Sequence, residues 1–515
     1  MNFLSDCKIF ATIFVLLHLR RITTQQIMKK IFSLALLFCL SLAAMAQTER
    51  PKLVVGLVVD QMRWDYLYYY ENEYGEGGLK RLVKEGYNYQ NCMLPYVPSV
   101  TAVGHSSIYT GSVPALTGIA GNYFCIDDKY VYACTDPSVK SVGSDGKDGQ
   151  MSPKNLWATT IGDQLHLATD YKSKVIGVAL KDRAAILPAG RSADAAYWWD
   201  TDAGHFVSST FYMQTLPKWV TDFNKQYYTK SKFNIKTSNL GVTYTFKMAE
   251  AAIDGEQLGQ HDQTDMICIS VSSTDAIGHQ FSTRGKENHD VYMTLDKELA
   301  SFLSYLDAKV GKGNYLLFLT ADHGAAHNFN QLEAHRIAAG GWDYNKTAKD
   351  LGTAIQAKFG FQPVITEDNY QIFLNDSIIA AHGVKKQEVV DYAISELRKD
   401  PTFLFVVDNE HAAEATVPEP IKTKIINGYC RQRSGEITII PRAEYFGTSD
   451  TSANYKGTQH GQWNPYDAHI PCIFFGWHIT PGETNRTTYM TDIAPTVCAM
   501  LHIQRPNSCV GEALR

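Results

Sequence analysis

Four short apolar runs, each ending abruptly in a polar cluster, constrain this chain more than any other feature of it. Leu53–Val59 runs into Asp60, and Lys174–Ala179 into Lys181-Asp182-Arg183. Met266–Val271 runs into Ser272-Ser273-Thr274-Asp275 and on to His279, and Tyr315–Thr320 into Asp322-His323-Gly324. Ile470–Phe475 is a fifth run near the C-terminus. Strands that are apolar along their whole length need both faces covered, which only a sheet between two layers supplies. Helical patterns over 155–168 and 287–309 lie between the runs, and one over 491–501 follows the last. The alternation predicts an α/β chain with a mostly parallel central sheet. Ligands of such sheets bind beyond the carboxyl ends of the strands, so clusters far apart in sequence should meet at one sheet edge.

The rest of the chain supplies boundaries. Its 515 residues, 45% hydrophobic and 20% charged, can bury a large core, which excludes a disordered chain. A net charge of −5 argues against a nucleic-acid partner, which would require a basic surface. Met28-Lys29-Lys30, the apolar stretch 31–43 and Ala44-Met45-Ala46 have the three parts of a secretory signal peptide over 28–46. Residues 1–27 then read as a mis-called extension of a 1–46 leader. The expected mature protein is periplasmic or secreted, without a stable membrane span. Loss of the leader removes five basic residues and one acidic residue and moves the charge to −9. Eight cysteines remain. Cys125/Cys134 and Cys498/Cys509 are close enough for local bridges, and buried free thiols are an equal alternative. The stretch 345–443 has a helix–strand pattern of its own, with a helix at 387–397 and strands at 403–407 and 436–440. It is expected to be an inserted α+β cap between two core parts, 47–344 and 444–515. Residues 123–152, rich in Gly, Asp and Lys, read as a surface excursion.

Asp60, Asp275, His279, Asp322 and His323 supply three carboxylates and two imidazoles, and His460 in Gln459-His460-Gly461 adds a third. Mixed imidazole and carboxylate donors suit zinc. Six ligands exceed one tetrahedral ion and match two ions, the arrangement that clamps the attacking and leaving oxygens of a phosphoryl displacement. Each piece alone has an ordinary explanation. Asp60 can cap a helix over 61–69, and His279 can be a plain buried or surface histidine. In Pro98-Ser99-Val100-Thr101-Ala102-Val103-Gly104-His105, Thr101 reads either as the N-cap of a helix starting near Val103 or as a hydroxyl activated at a helix start. Ser99 is the rival hydroxyl.

The set, in order, resembles the alkaline phosphatase superfamily: Val58-Val59-Asp60-Gln61-Met62, Thr101-x-x-x-His105 with Thr110-Gly111, Gly118-Ile119-x-Gly121-Asn122, Asp275-x-x-x-His279, Asp322-His323-Gly324 and His460-Gly461. More narrowly the chain is similar to the PafA-type alkaline phosphatases and then to the nucleotide pyrophosphatase/phosphodiesterases. The resemblance implies a three-layer fold, with one zinc on Asp275, His279 and His460 and a second on Asp60, Asp322, His323 and the Thr101 oxygen. Thr101 would form a covalent phosphothreonine, and Asn122 with the amide next to Thr101 would bind the non-bridging oxygens. No catalytic role falls to His105. Lys181 and Arg183 stand where the PafA-type monoesterases place two cations. A second charge on a monoester makes two cations worth more to it than to a diester.

The expected enzyme therefore acts on small phosphate monoesters with two zinc ions, as a monomer. A phosphodiesterase of the same superfamily is the alternative, expected to lack Lys181 and Arg183. A catalytically inactive binding protein on this scaffold would have lost Thr101 or a ligand, and neither is missing. A sulfatase is disfavoured by the absence of C/S-x-P-x-R at Thr101, and a metalloprotease by the absence of H-E-x-x-H. A phosphoglycerate mutase-like enzyme usually presents serine and prefers manganese.

Overall fold

The computed structural model of the chain describes residues 10–16, 26, 28–30, 32–33, 49–230 and 233–514. Two compact units emerge, Met1–Arg50 and Pro51–Arg515. Within the first, residues 10–16 are helical. Most of the signal-peptide reading, including its cleavage site at 44–46, lies outside the described residues. No described helix is long and apolar enough to cross a membrane.

The second unit is built on one large sheet. Its central strands are β1 (Leu53–Val59), β3 (Val175–Ala179), β4 (Ala195–Asp200), β5 (Asp265–Val271) and β6 (Tyr315–Thr320); β2 (Tyr87–Met93) and β7 (Cys472–Gly476) lie beyond β6. In space β6, β1, β5, β3 and β4 are adjacent and parallel. The flanks are mixed: β7 runs antiparallel to β6 and β2, and Gly482–Tyr489 pairs parallel with β2. β1, β5 and β6 are buried at every residue, as the continuous apolar runs require. The expected α/β class with a parallel core is what forms. The run 470–475 differs: Pro471 splits it into His469–Ile470 and β7, because proline cannot donate to a ladder.

Four helices matter for the site: α1 (Thr101–Thr110), α2 (Asp182–Ala189), α3 (Ser273–Phe281) and α4 (Lys286–Leu306). The helix expected from 155 starts only at Ile161, where Thr160 and Asp163 form a reciprocal capping box. Residues 61–65 form no helix, and a single turn, Tyr66–Tyr69, follows. The segment 123–152 is only partly an excursion. Tyr123–Ile126 and Lys129–Tyr132 make a hairpin, and Ser141–Val142 joins the edge of the main sheet. All eight cysteines from Cys92 onward are free thiols, so neither local bridge forms.

Between β6 and β7 the chain builds a separate antiparallel sheet from Val364–Asp368, Gln371–Leu374, Phe403–Asp408 and Ile437–Pro441. Leu351, Ile355, Ile372, Val389 and Ile437 pack beneath it in a cluster distinct from the main core. Parallel pairing of Gly340–Trp342 with Tyr445–Gly447 brings the two ends of this insert side by side.

Candidate active site

Strand register decides where the site lies. Val58 of β1 pairs with Thr320 of β6 and with Ser270 of β5, and Ser270 also pairs with Ala179 of β3. Parallel strands in register deliver their carboxyl ends to one line. Asp60, Lys181, Ser272–Asp275 and Asp322 leave the sheet there. α3 then carries Asp275 and His279 one turn apart, on one face. α1 packs over the same edge, with Gly104 against Asp322. A Cβ at Gly104 would lie 2.4 Å from the Asp322 backbone oxygen, so glycine is what permits the approach.

The carboxylates and imidazoles converge. Asp60, Asp322 and His323 are fully buried, and Asp275 and His460 nearly so. His279 is the most open, its side chain 31% exposed. His279 Nδ1 donates to the Thr458 carbonyl at 2.9 Å, His323 Nδ1 to the Gly324 carbonyl at 2.9 Å, and His460 Nδ1 to the Ser99 carbonyl at 2.8 Å. A carbonyl can only accept, so each Nδ1 carries a proton, and in neutral His323 and His460 Nε2 then presents a lone pair, the tautomer a metal ligand needs. Burial pushes the His323 and His460 pKa values down, which keeps these rings neutral.

Asp60 Oδ1, Asp322 Oδ2 and His323 Nε2 are buried without a hydrogen bond. They face one another, with His323 Nε2 3.8 Å from Asp60 Oδ1 and 3.4 Å from Asp322 Oδ2. Buried polar atoms are normally paired, and an all-acceptor trio fits a cation. Asp60, Asp322 and His323 have ligand atoms within 4.8 Å of one another, as do Asp275, His323 and His460. His279 adjoins the second group, its Nε2 3.1 Å from Asp275 Oδ1. All six residues are thus brought to one place, but the close trio around Asp275 contains His323 where the expectation had His279. The residues fit divalent metal.

Lys181 is the nearest cation. Its Nζ donates to Asp60 Oδ2 and Asp275 Oδ2 at 2.6 Å each and to Thr101 Oγ1 at 3.4 Å. Burial and the charges of Asp275 and Asp322 push the Asp60 carboxyl well above its usual range. Burial works the same way on Asp275, but His279 and Lys181 outweigh it and hold that carboxyl well below. Arg183, in the first turn of α2, donates from Nη1 to the Tyr132 hydroxyl at 3.1 Å; that hydroxyl donates to Asp182 Oδ1 at 2.6 Å.

Thr101 is the first residue of α1 and not its cap; Val100 holds that position and provides no side-chain cap. The Thr101 hydroxyl is therefore not spent on capping. Ser99, the rival, is spent: its Oγ donates to the Gln462 carbonyl at 2.9 Å. Ala102 N–H donates to Asn122 Oδ1 at 2.9 Å. The amide next to Thr101 is thereby engaged by Asn122, and Asn122 Nδ2 is the donor that this bond leaves over. His105 braces the site from behind, with Nδ1 on the Thr101 carbonyl at 2.9 Å and Nε2 on Ser270 Oγ at 2.8 Å.

Gln61 is the residue that sequence reasoning missed. Its backbone N–H donates to Asp322 Oδ1 at 3.1 Å and its Nε2 to Asp275 Oδ1 at 2.7 Å, tying the loop after β6 to helix α3. The only signal was its place directly after Asp60. Tyr132 carried no signal, because its contact to Arg183 spans 51 residues.

Comparisons with known proteins agree with this geometry. The family model for type I phosphodiesterase / nucleotide pyrophosphatase matches residues 54–466. A calcium-transporting ATPase of Myroides odoratus is 46% identical, over 93% of this chain and 96% of its own. Alkaline phosphatase PafA of Elizabethkingia meningoseptica is 44% identical, over 90% of this chain and 94% of its own. The crystal structure of wild-type alkaline phosphatase PafA aligns with a TM-score of 0.87 at 43% identity, covering 90% of this chain and 98% of that one.

Proposed function

Since this chain belongs to the type I phosphodiesterase / nucleotide pyrophosphatase family, within the alkaline phosphatase superfamily, we propose that it is an exported alkaline phosphatase that hydrolyses phosphate monoesters through a phosphothreonine on Thr101. The observation that carries this reading is the 3.4 Å approach of the Lys181 ammonium to the Thr101 hydroxyl, with Lys181 bridging Asp60 and Asp275 of a cluster of three carboxylates and three imidazoles.

Two zinc ions are the proposed cofactors, one on Asp275, His279 and His460 and one on Asp60, Asp322, His323 and Thr101 Oγ1. Bound there, they supply Lewis-acid charge that favours an ionised hydroxyl and offsets developing negative charge. Thr101 Oγ1 attacks phosphorus in line, a P–O bond forms, the bond to the leaving alkoxide breaks, and the proton lost by the Thr101 hydroxyl ends on that alkoxide, which departs as the alcohol. Water then attacks phosphorus from the vacated side, the Thr101 Oγ1–P bond breaks, one water proton restores the Thr101 hydroxyl, and inorganic phosphate is released. Asn122, oriented by the Ala102 amide, presents its Nδ2 to a non-bridging oxygen. Lys181 and Arg183 favour the dianionic monoester. The insert 345–443 serves as a cap on the core of 47–344 and 444–515, in a monomer that works in the periplasm or outside the cell.

A phosphodiesterase is the second reading, favoured by the description of the family model. The Myroides odoratus relative is named for ATP hydrolysis coupled to transport; removal of a terminal phosphoryl group is chemistry the same residues can perform. Zinc-loaded protein given an aryl phosphate monoester and the matching diester separates the readings. A kcat/KM ratio of about a hundredfold or more for the monoester is expected, from two charge-assisted contacts. A ratio favouring the diester would support the diesterase, and no turnover of either would support the inactive binding protein.

A further inference from the structure

The loop carrying His460 is held by two side chains outside it, and one of them belongs to the insert. Val364–Asp368 and Gln371–Leu374 are joined by the turn Asn369-Tyr370, with φ +52° and +61°. Two left-handed residues suit the twist of a hairpin, and asparagine tolerates that region. A tyrosine there is an outlier that persists only where its surroundings hold it. Tyr370 is only 8% exposed. Its hydroxyl donates to the His460 carbonyl at 2.9 Å, and its ring covers Gly461, where an added Cβ would come within 2.2 Å of it. Asp467 Oδ2 accepts the Gln462 N–H at 2.7 Å. The turn is itself seated: Asn369 Nδ2 donates to the Tyr123 carbonyl at 3.2 Å, and Asp368 accepts from the Tyr130 hydroxyl.

We propose that Tyr370 is a positioning residue of the metal site: reaching from the turn of the insert, its hydroxyl fixes the His460 backbone and so the direction of His460 Nε2. The inference rests on the reading of His460 as a metal ligand. His460 has two anchors, its own Nδ1 on Ser99 and its carbonyl on Tyr370, and loss of the second lets the imidazole shift about the first. Partners that orient a ligand commonly cost ten- to a hundredfold in metal affinity when removed.

The test compares the full chain with its Tyr370→Phe variant, which keeps the ring over Gly461 and deletes the donor. Three measurements are made: zinc affinity by chelator competition, the visible spectrum of the cobalt-loaded protein, and thermal unfolding of the metal-free chain. The expected result is about tenfold weaker zinc binding with an altered cobalt spectrum. Metal-free unfolding should stay within about 3 °C of the parent. Unchanged zinc affinity and cobalt spectrum would overturn the proposal. Failure of the parent chain itself to bind zinc or cobalt would instead overturn the metal reading. If Tyr370→Phe does not fold, Tyr370→Asn carries the same readouts, because asparagine suits the left-handed turn and the variant also deletes the hydroxyl donor.

Discussion

Thr101 owes its availability to its neighbours. Val100 takes the cap position of α1, and Ser99 turns its hydroxyl to a backbone carbonyl, so one free hydroxyl remains beside Lys181. Replacement Thr101→Ala should abolish turnover while zinc content, measured on the purified protein, stays at the parent level. Parent-like turnover in that variant would remove Thr101 as nucleophile. Lys181 and Arg183 differ in how they are held. Lys181 bridges Asp60 and Asp275, whereas Arg183 leans on Tyr132. The double variant Lys181→Ala/Arg183→Ala should lose monoester turnover far more than diester turnover, narrowing the kcat/KM ratio by about tenfold or more. An unchanged ratio would place both cations outside substrate discrimination. At this scale the residue types of the candidate site were legible, because carboxylate and imidazole after an apolar strand is a pattern of sequence. Gln61 and Tyr132 were not, since amides and phenols occur everywhere and only contact reveals their use.

At the scale of elements, α1 and the end of β6 meet through Gly104. The Asp322 backbone and Cβ lie so close that no side chain fits between helix and strand. Gly104→Ala should destabilise the fold by about 1–3 kcal/mol, as overpacking does, and should lower activity further by pushing Thr101 away from Asp322. Denaturant unfolding and turnover on the same preparation check this; parent values in both would mean the helix has slack. The strands were readable from their apolar runs, but the helix starts at 61 and 155 were not. A capping box at Thr160 and a turn at 61–65 decide those boundaries through hydrogen bonds, which periodicity does not register.

Across the whole molecule, the insert contributes its own ionisable core. Glu367 is 3% exposed, accepts from Trp342 Nε1 at 3.3 Å, and burial pushes its carboxyl up to about 8. A carboxyl raised in the fold stabilises it below its unfolded pKa of about 4.5, and that stability is lost as pH rises through about 8. Between pH 5 and pH 9 the parent should lose on the order of a few kcal/mol that Glu367→Gln retains. Denaturation of both chains at the two pH values tests this; a gap that does not widen with pH would mean that Glu367 is ionised in the fold. The sequence by itself determined the α/β class, the parallel core and the residue types that gather at its edge, because burial on both faces and strand direction are written in local composition. Only the tertiary structure decided which atoms meet. His323 belongs to both carboxylate–imidazole groups, His279, His323 and His460 are each turned by a backbone carbonyl, and an insert residue, Tyr370, reaches the His460 loop. Those contacts join segments up to 361 residues apart, and packing, not pattern, selects them.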